Sequence, residues 1–168
     1  MNKPTELLQS YLTFQLGDEL FAANVKKVLE ILEIPRITAV PHAPPYMRGV
    51  VNLRGNVMPV INTRQKFGLP DAPDTISSCI VVLDIEMDQQ NITLGAVVDA
   101  VQEVIEIGDQ DIQPAPSIGS KYKSEFVKGM MKLNERFIMI LDLDLVFSTD
   151  EASIIQNLII ETQETQVQ

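Results

Sequence analysis

An internal repeat is the feature of this sequence that most constrains its fold. The segment "YMRGVVNLRGNVMPVINTRQKF", from Tyr46 to Phe67, aligns without a gap on "FVKGMMKLNERFIMILDLDLVF", from Phe126 to Phe147. Each residue therefore has a counterpart 80 positions later, and Gly49 falls on Gly129. Most other positions hold residues of similar character, which indicates one structural unit present twice.

A second register appears upstream of this repeat. There the counterparts lie 73 positions apart: Val25, Val28, Glu30 and Ile31 pair with Val98, Val101, Glu103 and Val104, and Pro41 pairs with Pro114. The second copy therefore gains seven residues between its two registers, and we place them in "SIGSKYKSE". A segment rich in Ser, Gly and Lys is typical of a surface loop that tolerates insertion.

Strand patterns fill both copies and predict a mainly β fold. "YLTFQLGDELFAANV" reads as two strands around a Gly17-Asp18 turn, and "ISSCIVVLDIEM" with "NITLGAVVDAV" as another hairpin. Units of about 65 residues with some five short strands usually close into barrels, since closure removes exposed edges. We predict a first β-barrel over residues 10–72 and a second over 73–147, packed together in a pseudo-two-fold arrangement with a groove between them that suits a partner.

The C-terminal region predicts one helix. Ser148 followed by Glu151 resembles a capping box, and an apolar stripe follows at Ile154, Ile155, Leu158 and Ile159. We expect a helix over 148–160, with flexible tails at 1–9 and 161–168. The preceding "RFIMILDLDLVF" reads as one strand in which Asp142 and Asp144 alternate with leucines.

Charge is distributed unevenly along the chain. Residues 1–70 carry eight Lys or Arg and five Asp or Glu, a net charge of +3, whereas residues 71–168 carry five against eighteen, a net charge of −13. Neither half offers the concentrated basic footprint that nucleic acid requires, and the acidic half repels anionic lipid. Apolar runs are too short to cross a bilayer and no secretory signal begins the chain, so we expect a cytoplasmic protein without direct membrane contact.

The residues of an enzyme active site are not gathered in any motif. The one histidine, His42, lies between prolines in a loop pattern, and the one cysteine, Cys79, lies in an apolar run. No glycine-rich phosphate loop and no Cys/His metal spacing is present. We therefore predict no catalytic residues, no cofactor and no metal site, and a function based on binding.

The hairpin tip "NLRGN" singles out Arg54. A tight turn needs residues such as Gly and Asn, which tolerate positive φ, and it does not need an arginine. In the second copy the same two positions hold Asn134 and Glu135. Because the fold explains what the copies share, the unshared Arg54 is a candidate partner contact, with a solvated turn residue as the alternative.

Long stretches of the chain resemble the CheW-type chemotaxis coupling proteins. They are "YLTFQLGDELFAANVKKVLEIL", "ITAVPHAPPYMRGVVNLRGNVMPVINTRQKFGL", "LGAVVDAVQEV" and "IQPAPS", within a resemblance from about Tyr11 to Phe147. The pattern "GVxNLRGxxxPV" from Gly49 to Val60, together with "KVxEI" from Lys27 to Ile31, is specific to that family. The resemblance implies two packed five-stranded Src-homology-3-like barrels.

The same resemblance implies a non-catalytic adaptor in chemosensory arrays. It would join the cytoplasmic tips of chemoreceptors to the regulatory domain of the histidine kinase CheA, which is itself similar to this chain. The family's functional positions fall on Val28, Glu30, Ile31, Gly49 and Arg54. Val28 and Ile31 would offer apolar contact, Glu30 a charged rim, Gly49 a close backbone approach, and Arg54 a contact with receptor or kinase.

Other interpretations remain open from the sequence. The chain could serve a chemosensory array for pilus motility or development, or bind a small molecule between its barrels. A carboxylate-dependent enzyme using Asp142, Asp144 and His42 is a third alternative. A piece of a larger coupling protein with a receiver domain is a fourth, disfavoured because the chain ends soon after the final helix.

Overall fold

The computed structural model describes residues 8–87, 89–114, 126–147 and 149–167, which form ten strands and two α-helices. The strands are β1 (Gln9–Leu16), β2 (Glu19–Asn24), β3 (Val28–Glu33), β4 (Met47–Leu53), β5 (Asn56–Asn62), β6 (Cys79–Met87), β7 (Gln90–Val98), β8 (Ala100–Ile107), β9 (Val127–Leu133) and β10 (Arg136–Leu141). The helices are α1 (Thr63–Lys66) and α2 (Thr149–Val167). The predicted hairpins and the mainly β class are confirmed.

Two five-stranded sheets share one strand order. The first runs β8-β1-β2-β10-β9 and the second β3-β6-β7-β5-β4, with one parallel pair in each. An isolated bridge joins the two ends of each sheet: Gln113 pairs with Met130 in the first and Thr38 with Val50 in the second. We call the closed sheets barrel I and barrel II.

Strand registers confirm that the two barrels are counterparts. In barrel I, Val104 pairs with Leu12, and in barrel II, Ile31 pairs with Val81. The counterpart residues are therefore 73 apart in β3 and β8 and 69 apart in β1 and β6. The pair Gly49–Val60 likewise corresponds to the pair Gly129–Ile140, 80 positions later.

The barrels do not follow the predicted division at residues 72 and 73. Barrel I combines hairpin β1–β2 of the first copy with β8, β9 and β10 of the second, and barrel II combines hairpin β6–β7 with β3, β4 and β5. The two sequence copies have therefore exchanged hairpins, as in a domain swap within one chain.

Short connections force this exchange. The strand beside β1 runs antiparallel to it, and therefore in the same direction as β2. If β3 took that place, the chain would have to travel the height of the barrel between β2 and β3, about 20 Å for a six-residue strand. The connection is only Val25–Lys27, a 3-10 turn, and three residues reach about 10 Å. Between β7 and β8 only Asp99 intervenes, so both hairpins must join the other copy.

The closing bridges also correct the upstream register. The register of 73 holds as far as Glu33 and Glu106, but the bridge residues Thr38 and Gln113 are 75 apart. Two of the seven extra residues therefore lie before Gln113, where Asp109–Asp111 forms a 3-10 turn. The predicted loop "SIGSKYKSE" lies outside the described residues.

Each sheet has buried apolar residues on both of its faces. One face fills its own barrel, with Tyr11, Ile138 and Ile140 in barrel I and Ile80, Met58 and Val60 in barrel II, and these residues are repeat counterparts. The other faces meet in a shared core, which residues from both barrels and α2 line. Successive residues of a strand point to opposite faces, and here both faces are apolar. The sequences of these strands are therefore nearly continuous apolar runs.

The C-terminal region departs from the sequence prediction at two points. β10 ends at Leu141, and Leu143–Leu145 forms a 3-10 turn, so Asp142 and Asp144 do not share a strand face. Instead, the Asp142 side chain accepts a hydrogen bond from the Asp144 amide and caps the turn. Helix α2 continues to Val167, so the backbone beyond residue 160, which we expected to be a flexible tail, is helical.

Helix α2 packs on the body as expected. Ile155 and Leu158 are buried in the shared core, while Ile154 of the predicted stripe is exposed. Ser148, predicted to start the helix, lies outside the described residues, as do residues 1–7 of the predicted N-terminal tail. Gln9 of that tail is the first residue of β1.

Candidate functional site

The tip of the β4–β5 hairpin is a two-residue turn made by Arg54 and Gly55. Both have positive φ, 51° and 85°, as in the type I′ turn that matches the twist of paired strands. The Asn52 side chain accepts a hydrogen bond from the Gly55 amide at 2.9 Å and fixes the turn. Because Asn or Gly suits the position of Arg54 better, the turn itself does not explain the arginine.

Arg54 forms a two-point ion pair with Glu30 of β3. Its Nη1 and Nη2 donate to Glu30 Oε2 and Oε1 at 2.7 and 2.8 Å, the planar geometry that favours arginine over lysine. The Arg54 side chain is 69% exposed and that of Glu30 27%. The Arg54 hydrogen bond, more than its charge, lowers the pKa of the Glu30 carboxyl. The structure thus joins two predicted site residues that are far apart in sequence.

Strand β3 also exposes apolar side chains on either side of Glu30 along the chain. A bulge between Val28 and Glu30 interrupts its pairing with β6. Leu29 at the bulge is 54% exposed and Ile31 is 46% exposed. Val28, for which we predicted partner contact, is half-buried and packs against the shared core. We call Leu29, Glu30, Ile31 and Arg54 the tip surface.

Sequence reasoning missed Leu29. In "KVLEIL" it is one apolar residue among several, and regular alternation would pair it with Ile31 on one face. The bulge changes which neighbours its side chain meets, and a bulge leaves no clear mark in a single sequence. The available signal was the apolar character of "VLEIL" around a single charged residue, Glu30.

Gly49 is buried within the chain. A Cβ there would overlap the carbonyl oxygen of Thr38 and lie 2.8 Å from Ile37 Cγ2, because the closing segment of barrel II crosses at this point. Gly129 has the same role in barrel I, where a Cβ would lie 2.6 Å from the Gln113 carbonyl oxygen. The predicted close backbone approach is real, but the approaching backbone is the chain's own.

A groove of about 260 Å³ opens at the end of barrel II beside the tip surface. Its lining is mainly apolar apart from the ion pair: Leu29, Glu30, Leu53, Arg54, Asn56, Val57, Met58, Val82 and Thr93. Such a surface can receive an apolar side chain of a protein partner, while the ion pair at its rim supplies charged hydrogen bonds. The arrangement suits docking.

Two alternative functions lose support from the geometry. The void between the barrels measures about 30 Å³, room for about one water, whereas ligand pockets measure about 300 Å³ or more. Asp144 forms an ion pair with Lys27 at 3.0 Å, Asp142 caps a turn, and His42 is an exposed turn residue with φ of 63°. Neither a ligand chamber nor an acid–base pair results.

Within the described ranges, no three His, Cys, Asp or Glu side chains are grouped so that they would hold a metal ion. None of the helices described is long and apolar enough to span a bilayer.

Comparisons with known proteins agree on one family. The sequence profile of the CheW-like domain matches residues 10–151. The chain is 35% identical over 140 residues to "Chemotaxis protein CheW" of Rhizobium meliloti, which covers 83% of this chain and 88% of the relative. It is 30% identical over 150 residues to "Chemotaxis protein CheW" of Treponema pallidum, covering 87% and 86%.

A solved structure shares the fold. The crystal structure of the scaffolding protein TtCheW from Thermoanaerobacter tengcongensis superposes with a TM-score of 0.76 at 30% identity. The match covers 86% of this chain and 96% of that one.

Proposed function

This chain belongs to the CheW-like family, and we propose on that premise that it couples the cytoplasmic tips of chemoreceptors to the histidine kinase CheA. The family consists of non-catalytic scaffold or adaptor proteins of chemotaxis. The proposal adds the two partners and the surface that holds them. It also locates the protein in the cytoplasm, beside membrane-bound receptor arrays.

The tip surface supports this proposal most directly. Arg54 and Glu30 form a charged pair that leaves most of the arginine in solvent, Leu29 lines the same groove, and Ile31 follows Glu30 along β3. Both apolar side chains are about half exposed. Arginine beside exposed apolar side chains is typical of the energetic centre of a protein interface. Since Asn134 replaces the arginine in the second copy, the surface is not a by-product of the fold.

The other two predicted site residues, Val28 and Gly49, hold the strands that carry the tip surface. Val28 fixes the start of β3 through its contact with the shared core. Gly49 lets the closing segment of barrel II cross β4. Substitutions at these two positions would weaken partner binding by altering the barrel, whereas substitutions on the tip surface would act on the partner directly.

Coupling requires only modest interfaces. A transient adaptor contact can bury less than about 1,200 Å² and still hold an array together, because many contacts act at once. A receptor passes its signal if its change of state alters how the adaptor holds the kinase, a coupling free energy of about 1–3 kcal/mol. A charged pair with one partner in solvent can be rearranged at little cost, which suits this role.

Co-sedimentation of receptor-containing membranes with the kinase and Arg54→Ala tests the proposal. We expect kinase incorporation to fall about tenfold, since truncation of a central interface arginine typically costs this much or more. The melting temperature should not change, because the arginine side chain is mostly solvated.

Asn134→Ala is the matched control, since it truncates the counterpart position on an equivalent turn. It should leave incorporation intact. Full kinase incorporation with Arg54→Ala would contradict the proposal, and an equal loss with both variants would assign the effect to the turns. Recovery of a kinase from a pilus or developmental pathway in a pull-down would replace chemotaxis by that pathway, with the same docking surface.

A further inference from the structure

Two ion pairs lie where the chain passes between the barrels. The first crossover ion pair joins Lys27, which ends the β2–β3 connection, to Asp144, which follows β10. The second joins Asp99, the whole β7–β8 connection, to Arg64, which follows β5. Both pairs are about two-thirds or more buried, unlike the tip ion pair.

In the first crossover ion pair, Asp144 has two kinds of donor. Lys27 Nζ donates to its Oδ1 and Oδ2 at 3.1 and 3.0 Å. The amide of Glu86, near the end of hairpin strand β6, donates to Oδ1 at 3.0 Å. Asp144 belongs to barrel I and Glu86 to barrel II, so the carboxylate fixes one barrel to the other as well as holding the connection.

In the second crossover ion pair, Asp99 has the same two kinds of donor. Arg64 Nε and Nη2 donate to its two oxygens at 3.0 and 2.5 Å. The amide of Gly17, in the β1–β2 turn of barrel I, donates to Oδ2 at 2.7 Å. Arg64 lies in barrel II, so this carboxylate also connects the barrels.

The two sites are repeat counterparts with their charges inverted. Arg64 corresponds to Asp144, 80 positions later, and Gly17 corresponds to Glu86, 69 positions later. In the register of 73, Asp99 falls on Lys26, the neighbour of Lys27. Duplication explains why the positions agree, but it does not explain opposite charges that restore the same ion pair and the same amide contact. The pair itself, rather than either residue, is what both crossovers share.

We propose that the first crossover ion pair is a positioning pair for the tip surface, which sets where β3 starts relative to barrel I. Lys27 precedes Val28 directly, and β3 carries Leu29, Glu30 and Ile31. The second pair does the same for β8 of barrel I, the barrel whose hairpin tip has Asn134 in place of the arginine. The effect on partner binding rests on the function proposed above, whereas the effect on the strand is a property of the chain alone.

Amide hydrogen exchange of the isolated protein tests the effect on the strand. In Asp144→Asn, exchange of the Glu86 amide and of the first β3 amides should accelerate about tenfold, the loss expected when the acceptor of a charge-assisted hydrogen bond loses its charge. The Gly17 amide should keep its rate. In Asp99→Asn the pattern should reverse, with Gly17 faster and Glu86 unchanged. Equal acceleration of both amides in both variants would overturn the proposal, since it would mean general destabilisation.

Charge inversion provides the second test. Lys27→Asp combined with Asp144→Lys gives the first crossover the polarity of the second, where the carboxylate lies on the connection. We expect the double variant to exchange more slowly at Glu86 and β3 than either single variant. A double variant that exchanges as fast as the faster single variant would overturn the proposal, because the pair would not be the shared element.

Binding connects the strand to function. With chemoreceptor membranes and the kinase, Asp144→Asn should lower incorporation about fivefold while Asp99→Asn leaves it nearly unchanged. If Arg54→Ala lowers incorporation and Asp144→Asn does not, the positioning role is overturned and the proposed function stands. If Asp144→Asn changes exchange as predicted and Arg54→Ala has no effect on incorporation, the proposed function fails and the role in holding β3 stands.

Discussion

The two hairpin tips have the same backbone and different side chains. Arg54 and Gly55 turn with φ of 51° and 85°, and their counterparts Asn134 and Glu135 with 50° and 70°. Arg54 reaches Glu30, but Glu103, the counterpart of Glu30, has an asparagine at the corresponding tip. The fold therefore accounts for the turn in both barrels, and only one barrel carries the ion pair.

The neighbouring bulges differ in a second way. In barrel I the buried Thr13 hydroxyl donates to the Glu103 carbonyl oxygen at 2.8 Å and accepts from the Glu103 amide at 3.0 Å. Its counterpart in barrel II is Val82, which has no such group. The bulge of barrel I thus has an internal hydroxyl bonded to its backbone, whereas the bulge of barrel II lies next to the external Arg54–Glu30 ion pair. An external contact is available to a partner, and an internal one is not.

Alanine at the two counterpart glycines should give the largest effect. Gly49→Ala and Gly129→Ala each force a Cβ against the backbone of a closing segment, so we expect each to lower the free energy of unfolding by about 3 kcal/mol or more. Urea denaturation measures this loss in the free energy of unfolding. Gly17→Ala is the control: it has a positive φ but no atom within 4 Å of the added Cβ, and should cost about 1 kcal/mol. Stability unchanged at either glycine would show that the barrels close differently.

Helix α2 contacts Lys66 of barrel II through an ion pair, and the counterpart of Lys66 in barrel I is Val146. Replacing Lys66 by valine tests how much this difference between the barrels contributes to stability. Lys66 Nζ lies 2.7 Å from Glu151 Oε2 of α2 and about 5 Å from the ring centres of Tyr46 and Phe147, whereas Val146 occupies the equivalent position in barrel I. Lys66→Val should lower the free energy of unfolding by about 2 kcal/mol, because a mostly buried ion pair and two cation–π contacts are lost. Thermal unfolding followed by circular dichroism measures this change, and no loss would mean that apolar packing alone holds the helix.

Exchanging the second turn residue between the tips should give opposite effects of about 1 kcal/mol. Glu135 has a side chain in a left-handed conformation, so Glu135→Gly should stabilise the protein, and Gly55→Glu should destabilise it by a similar amount. Chemical denaturation of both variants gives the two signs. The same sign for both would refute the equivalence of the turns.

The two crossover ion pairs should lose their stabilising contributions at opposite ends of the pH range. Each contributes about 1 kcal/mol or less to the free energy of unfolding. Burial opposes ionisation of Asp99, but the hydrogen bonds from Arg64 and the Gly17 amide, with the Arg64 charge, outweigh it and lower the Asp99 pKa. The stabilisation is therefore present above the ordinary aspartate pKa of about 4 and is lost as pH falls through the lowered value. The difference in melting temperature between the parent and Asp99→Asn should vanish in acid.

Lys27 behaves in the opposite direction. The Asp144 hydrogen bond raises the Lys27 pKa despite burial, and the charges of Asp144, Asp84 and Glu86 add to it. Its contribution is present below the ordinary lysine pKa of about 10.4 and is lost as pH rises through the raised value. The second pair has no such limit, since arginine stays charged. The difference in melting temperature between the parent and Lys27→Met should vanish in strong alkali. A difference that persists there would contradict this assignment.

Local sequence patterns were sufficient to predict most of the secondary structure and part of the candidate site. The turns at Gly17 and at Arg54-Gly55, the strands around them and the C-terminal helix each depend on neighbours in sequence, so periodicity and turn chemistry were sufficient. Arg54 was identified because the repeat supplied its own comparison. Leu29 was missed because a bulge, set by pairing with β6, decides its surroundings.

The sequence by itself determined that one β unit occurs twice, where its hairpins turn, and which tip carries an extra charge. Only the tertiary structure decided that the hairpins change places, that Glu30 meets Arg54, and that Gly49 is packed against its own chain. The physical reason is that both copies present the same strand surfaces, so the local pattern fits either partner. The lengths of the two connections choose between them, and their effect depends on strand directions that exist only once the sheets have formed.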